Sequence, residues 1–106
     1  MMVNHKYSRE QILSNITHLR KKIFFLLICV DPQTKNQFEH ININDAITNA
    51  IDEINGLNIV LECKYPEFVS VVSLLETAKL KVDDFSSYRK VVLEAGSKMQ
   101  HLEEVI

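Results

Sequence analysis

Apolar residues recur between residues 12 and 30 at alternating steps of four and three, the spacing of one face of an α-helix. This first stripe comprises Ile12, Ile16, Leu19, Ile23, Leu26 and Val30. Up to residue 22 the positions between its members are mostly polar, whereas afterwards they are filled by Phe24, Phe25, Leu27, Ile28 and Cys29. A helix that is apolar on all sides has to be enclosed by its own chain or by another. The pattern therefore predicts a helix whose second half is covered on more than one face.

Local signals mark both ends of this helix. Ser8 and Gln11 have the spacing of a capping box, in which each residue's side chain bonds the other's backbone N–H. Asp31 precedes Pro32, and a residue before proline disfavours the helical conformation. We therefore predict a first helix near 8–30.

Three later segments carry the same spacing and predict helices near 43–62, 66–80 and 84–105. Their stripes are Ile43, Ile47, Ala50, Ile54, Leu57 and Leu61; Phe68, Val71, Leu75, Ala78 and Val82; and Phe85, Tyr88, Val92, Ala95, Met99, Leu102 and Ile106. Suitable starting residues precede or open each stripe: Asn42 or Asn44, then Pro66, then Asp83 or Asp84.

The dipeptide Asn55-Gly56 allows a second interpretation of the second segment. Such a pair is a strong hairpin signal, so residues 57–61 could form a strand. We favour a continuous helix, because the apolar stripe keeps its phase through Gly56. Gly96 also lies inside a predicted helix, and we expect both glycines to mark tight helix crossings.

Four amphipathic segments with mostly short connections predict an all-α fold, a four-helix bundle in which helix 1 is the most enclosed element. The chain has 106 residues, 46% of them hydrophobic and 25% charged, with only two glycines and two prolines. These values are ordinary for a folded protein and leave little material for long loops. We therefore expect one domain over residues 1–106.

The residues that usually carry chemistry do not assemble into a motif. The four histidines, His5, His18, His40 and His101, are scattered, and the two cysteines lack the neighbouring ligands of a zinc site. Two isolated glycines do not make a phosphate-binding loop. We therefore predict a protein that is not an enzyme and that holds no metal or cofactor.

The expected location is the cytoplasm of a bacterial cell. The apolar run at residues 23–30 is eight residues long, whereas a membrane-spanning helix needs about 20. Cys29 and Cys63 suit a reducing compartment, where thiols stay free. Isoleucine, asparagine and lysine are abundant, a bias common in AT-rich bacterial genomes.

The leading functional hypothesis is a non-catalytic interaction protein that forms a homodimer and binds other proteins. A bundle helix needs one buried face, while Phe24, Phe25 and Ile28 call for a second. These three residues are the candidate interface. Enclosure within a monomer by the other three helices is the alternative.

Two other functions remain open. A small nucleic-acid-binding regulator could use the basic N-terminal region, formed by Lys6, Arg9, Arg20, Lys21 and Lys22. The formal net charge of −2 provides no general attraction to nucleic acid, so we rank this hypothesis second. An immunity or antitoxin protein is a third possibility, by analogy with small helical bundles alone.

Overall fold

Four α-helices form the computed structural model, which describes residues 7–106. They are α1 (Arg9–Val30), α2 (Ile43–Val60), α3 (Glu67–Lys79) and α4 (Phe85–Val105). A short 3₁₀ turn, Lys35–Phe38, lies in the connection between α1 and α2, and the described residues contain no strand. The all-α fold and the four-helix bundle are confirmed, and every helix begins and ends within two residues of its predicted bounds.

Side chains at the helix starts explain these bounds. The N–H of Gln11 donates to Oγ of Ser8 at 3.2 Å, while the N–H of Ser8 donates to Oε1 of Gln11 at 2.8 Å, so the capping box is complete. Asn42 and Asp84 cap α2 and α4, each accepting from the backbone N–H three residues later. Hydrogen bonds from Ser87 also hold the pKa of the Asp84 carboxyl below its ordinary value.

The two glycines occupy different surroundings. Helix α2 runs without interruption through Gly56, which excludes the hairpin. Gly56 is exposed, and a Cβ added there would meet no atom within 4 Å, so the expected tight crossing at this position is wrong. Gly96 is buried in α4, and a Cβ there would lie 3.5 Å from Cζ of Phe24 in α1. Of the two glycines, Gly96 therefore lies in van der Waals contact with a side chain of another helix, and Gly56 does not.

Helix α2 ends in a backbone motif that usually contains glycine. The N–H of Cys63 donates to the carbonyl of Asn58 at 2.9 Å, and Glu62 and Cys63 have φ values of 59° and 57°. These are left-handed conformations, which side chains with a Cβ adopt at a cost. The stripe residue Leu61 stays buried although it lies just beyond the helix, so periodicity alone placed the end slightly too late.

The helices form a ring in which each contacts two neighbours. Helix α1 packs against α2 and α4, and α3 packs against the same two helices from the opposite side. Helices α1 and α4 are antiparallel, because Arg9 at the start of α1 donates to the carbonyl of Ile106 just after α4, and Tyr88 near the start of α4 donates to the carbonyl of Leu26 near the end of α1. Helix α1 also contacts the 3₁₀ turn, so it touches more elements than any other helix.

The core consists of the predicted stripes together with Ile51, a buried residue of α2 that the second stripe did not include. Buried stripe members are Ile12, Ile16, Leu19, Ile23 and Leu26; Ile47, Ala50, Ile54, Leu57 and Leu61; Phe68, Val71, Leu75 and Ala78; and Tyr88, Val92, Ala95, Met99 and Leu102. The stripe residues that are only partly buried stand at stripe ends: Val30, Ile43, Val82, Phe85 and Ile106. Burial is thus set by the helical phase, and the bundle ends are less tightly covered.

Candidate interaction surface

Two large apolar side chains of α1 remain on the surface of the bundle. Phe24 is 39% exposed and Ile28 is 42% exposed. They lie four residues apart on one helix, so their side chains are neighbours on the same face. We call Phe24 and Ile28 the outer pair. The enclosure that was expected for the second half of α1 is therefore incomplete within one chain.

Phe25, the third predicted interface residue, lies elsewhere. Its ring packs edge-to-face against Phe38 of the 3₁₀ turn, with centroids 5.2 Å apart and planes at 87°. This geometry is favourable for aromatic rings. The connection between α1 and α2 thus covers Phe25, which leaves the outer pair without it.

The ring of Phe24 rests on α4. Its Cζ and Cε2 atoms lie 3.5 Å and 3.7 Å from the position that a Cβ on Gly96 would take. Leu93, which is partly buried, lies one turn before Gly96 on the same side of α4. Gly96 was predicted to mark a helix crossing. Its contact with Phe24 could not be derived, because sequence periodicity shows which face of a helix is buried but not which helices become neighbours.

The other exposed large apolar residues lie on separate segments of the chain. Tyr7, Ile59, Val69, Leu80 and Val105 also expose much of their side chains. Within the described chain each stands alone among the exposed large apolar residues of its own segment, and scattered residues of this kind are normal on protein surfaces. The outer pair differs because its members are adjacent on one helix.

Two cations of the predicted basic region form ion pairs with neighbouring helices. Nε of Arg20 lies 2.9 Å from Oε1 of Glu103 in α4, which also accepts from the hydroxyl of Thr17. Nζ of Lys22 lies 3.1 Å from Oε1 of Glu53 in α2. These charges therefore point to opposite flanks of α1 and are largely compensated there.

Of the remaining cations, Arg9 and Lys21 lie within the described residues. The guanidinium of Arg9 donates to the carbonyl of Ile106 at 2.8 Å. Lys21 is exposed and has no ion pair in the part of the chain that the structure describes. Lys6 lies outside the described residues. Among the described cations, the structure thus separates Arg20 and Lys22, which the sequence places close together.

Two ionisable groups in this region, the buried Tyr88 and the partly buried Cys29, have raised pKa values. The hydroxyl of Tyr88 donates to the carbonyl of Leu26 at 2.7 Å, and burial raises the pKa of Tyr88 above its ordinary value. Burial also raises the pKa of the Cys29 thiol, which disfavours the reactive thiolate. Cys29 and Cys63 are free, at opposite ends of the bundle.

A groove of about 350 Å³ lies between α1 and α2, and polar and ionisable side chains form part of its lining. Its lining includes His18, Asn15 and Glu53, whose carboxylate is paired with Lys22. Within residues 7–106, no three His, Cys, Asp or Glu side chains converge on a possible metal position. None of the described helices is both long and apolar enough to cross a membrane.

No family model, curated protein or solved structure matches this chain.

Proposed function

We propose that this chain is a non-catalytic protein-interaction module that forms a homodimer through the outer pair of α1. The observation that carries the proposal is the exposure of Phe24 and Ile28 side by side on one helix face. Removing apolar surface from water stabilises an association roughly in proportion to the area removed. A second copy supplies an apolar surface of matching size, since a twofold interface uses the same patch on both chains.

The size of the patch sets the expected affinity. A stable protein interface buries about 800 Å² per partner, far more than two half-exposed side chains provide. The outer pair is therefore the centre of the interface, and polar residues around it supply the rim. We expect a dimer that dissociates on dilution, with the cytoplasm as its compartment.

The nucleic-acid alternative has less support. Arg20 and Lys22 already pair with carboxylates, and Arg9 bonds a backbone carbonyl. Phosphate binding would have to replace these bonds. Such binding also weakens steeply as salt increases, whereas apolar association does not.

The test is the mass in solution, measured by light scattering on a sizing column over a wide range of protein concentration and at two salt concentrations. The wild-type chain is expected to approach twice its mass of 12.3 kDa at high concentration and at both salt levels. Ile28→Asp is expected to stay monomeric, because it places a charge in the apolar contact.

Ile59→Asp is the matched control, because it makes the same change at an exposed position of α2. It should leave the dimer intact. Circular dichroism of each variant checks that the bundle remains folded. A wild-type chain that is monomeric at every concentration overturns the proposal, and so does a dimer that Ile59→Asp dissociates while Ile28→Asp leaves it intact.

A further inference from the structure

A second stripe runs along the outside of α1 and includes the outer pair. Lys21, Phe24, Ile28 and Asp31 follow one another at steps of three, four and three, the spacing of a seam between two packed helices. We call these four residues the outer stripe. The first stripe, Ile12 to Val30, has the same spacing and faces the core of the bundle, so we call it the inner stripe. The outer stripe has an apolar centre, with a cation at one end and an anion at the other.

The two charged ends of the outer stripe lack ionic partners. Among the described residues, neither Lys21 nor Asp31 takes part in an ion pair. Oδ1 of Asp31 accepts from the N–H of Gln33 at 2.9 Å, a bond that holds the carboxylate at the end of the helix. This differs from Arg20 and Lys22, whose charges are paired within the chain.

The stripe is complementary to itself in one orientation only. With a rise of 1.5 Å per residue, Lys21 and Asp31 stand roughly 7.5 Å on either side of the level of Leu26. Two antiparallel copies related by a twofold axis at that level place Phe24 opposite Ile28 of the other copy. They also place Lys21 opposite Asp31, twice. A parallel pair would instead place like charges opposite each other, which disfavours it.

We propose that the outer stripe pairs with the same stripe of a second copy in an antiparallel, twofold-symmetric arrangement, with Lys21 facing Asp31 across the contact. This inference rests on the proposed function, since it specifies the orientation of that dimer. The apolar pair provides the attraction, and the charged ends select the orientation.

Cross-linking measures the orientation directly. One chain carries Lys21→Cys and the other Asp31→Cys, both in a background with Cys29→Ala and Cys63→Gly. Glycine is chosen at position 63 because its φ of 57° suits glycine. One chain is labelled with ¹⁵N, and a short bismaleimide joins thiols that face each other. Mass spectrometry then identifies the products.

The antiparallel dimer predicts cross-links between position 21 and position 31 and few between identical positions. Cross-links between two chains that both carry Lys21→Cys would overturn the proposed orientation and leave the homodimer standing. A wild-type chain that is monomeric by light scattering overturns the homodimer itself. The two failures are therefore distinguishable.

Charge reversal tests the same arrangement by affinity. Lys21→Glu turns two attractions into two repulsions and is expected to raise the dimer dissociation constant about tenfold. Adding Asp31→Lys should restore it, because the opposite charges again face each other. Lys90→Glu, the same change at an exposed position of α4, is the control and should have little effect. Loss of affinity that Asp31→Lys fails to restore contradicts the pairing, provided that circular dichroism shows the double variant to be folded.

Discussion

The two halves of α1 differ on their outer face and agree on their inner face. In residues 9–22 the inner stripe is buried, and cations on the flanks pair with Glu103 and Glu53. In residues 23–30 the stripe residues Ile23 and Leu26 are buried as well and Val30 is partly buried, but the outer face consists of Phe24 and Ile28. One helix therefore meets the same packing requirement in both halves and presents two different surfaces.

This difference shows that apolar residues are not needed along the whole outer face of α1. A helix in a bundle is held by the stripe that faces its neighbours, and polar outer residues are sufficient elsewhere in α1. Phe24 and Ile28 keep 39% and 42% of their surface in contact with water, so part of their apolar area is not buried by folding. An association between chains would use the apolar area that folding leaves exposed.

The largest expected effect comes from a charge on the inner face of the second half. Leu26 is only 1% exposed. Leu26→Asp is expected to lower the protein's free energy of unfolding by about 4 kcal/mol or more, which is enough to unfold a domain of this size. Circular dichroism measures the remaining helix content of this variant, and urea titration measures its free energy of unfolding. Ile28→Asp, two residues later on the outer face, should keep its helical spectrum. Equal unfolding of both variants would mean that the two faces are not distinct.

A smaller effect is expected where the second half is bonded to α4. Tyr88→Phe removes the hydroxyl that donates to the carbonyl of Leu26, and should lower the free energy of unfolding by about 1 kcal/mol. Urea unfolding of wild type and variant checks the value. Tyr65→Phe is the control, since Tyr65 is only partly buried and its described contact is a ring contact with Phe68. If both variants lost the same free energy of unfolding, the hydrogen bond from Tyr88 to Leu26 would not be the cause of the loss.

The smallest effect is expected on the polar flank of the first half. Arg20→Gln removes the ion pair with Glu103, and partly exposed pairs of this kind contribute about 0–1 kcal/mol. The loss should shrink at high salt, where surface charges are screened. Light scattering should show the dimer unchanged. A shift to monomer would place the interface on the first half of α1 and contradict the comparison between the halves.

Local signals were sufficient for the helix bounds. The capping box at Ser8 and Gln11 was predicted and is confirmed, and Asp84 was one of two candidates for the start of α4. Such bonds join residues three positions apart, so both partners can be recognised in a short stretch of sequence.

The candidate interface was only partly predictable. Phe24, Phe25 and Ile28 are all large apolar residues of the same run, and the sequence does not distinguish them. In the structure, Phe25 is covered by Phe38, which lies thirteen positions later in the chain.

The sequence by itself determined the helices, their buried faces and the apolar excess of α1, because helical periodicity and capping act over a few residues. Tertiary structure decided which surplus residues remain exposed, that Gly96 rather than Gly56 lies against another helix, and that Arg20 and Lys22 are paired within the chain. These contacts join residues distant in sequence, and they depend on which helices become neighbours and in which register.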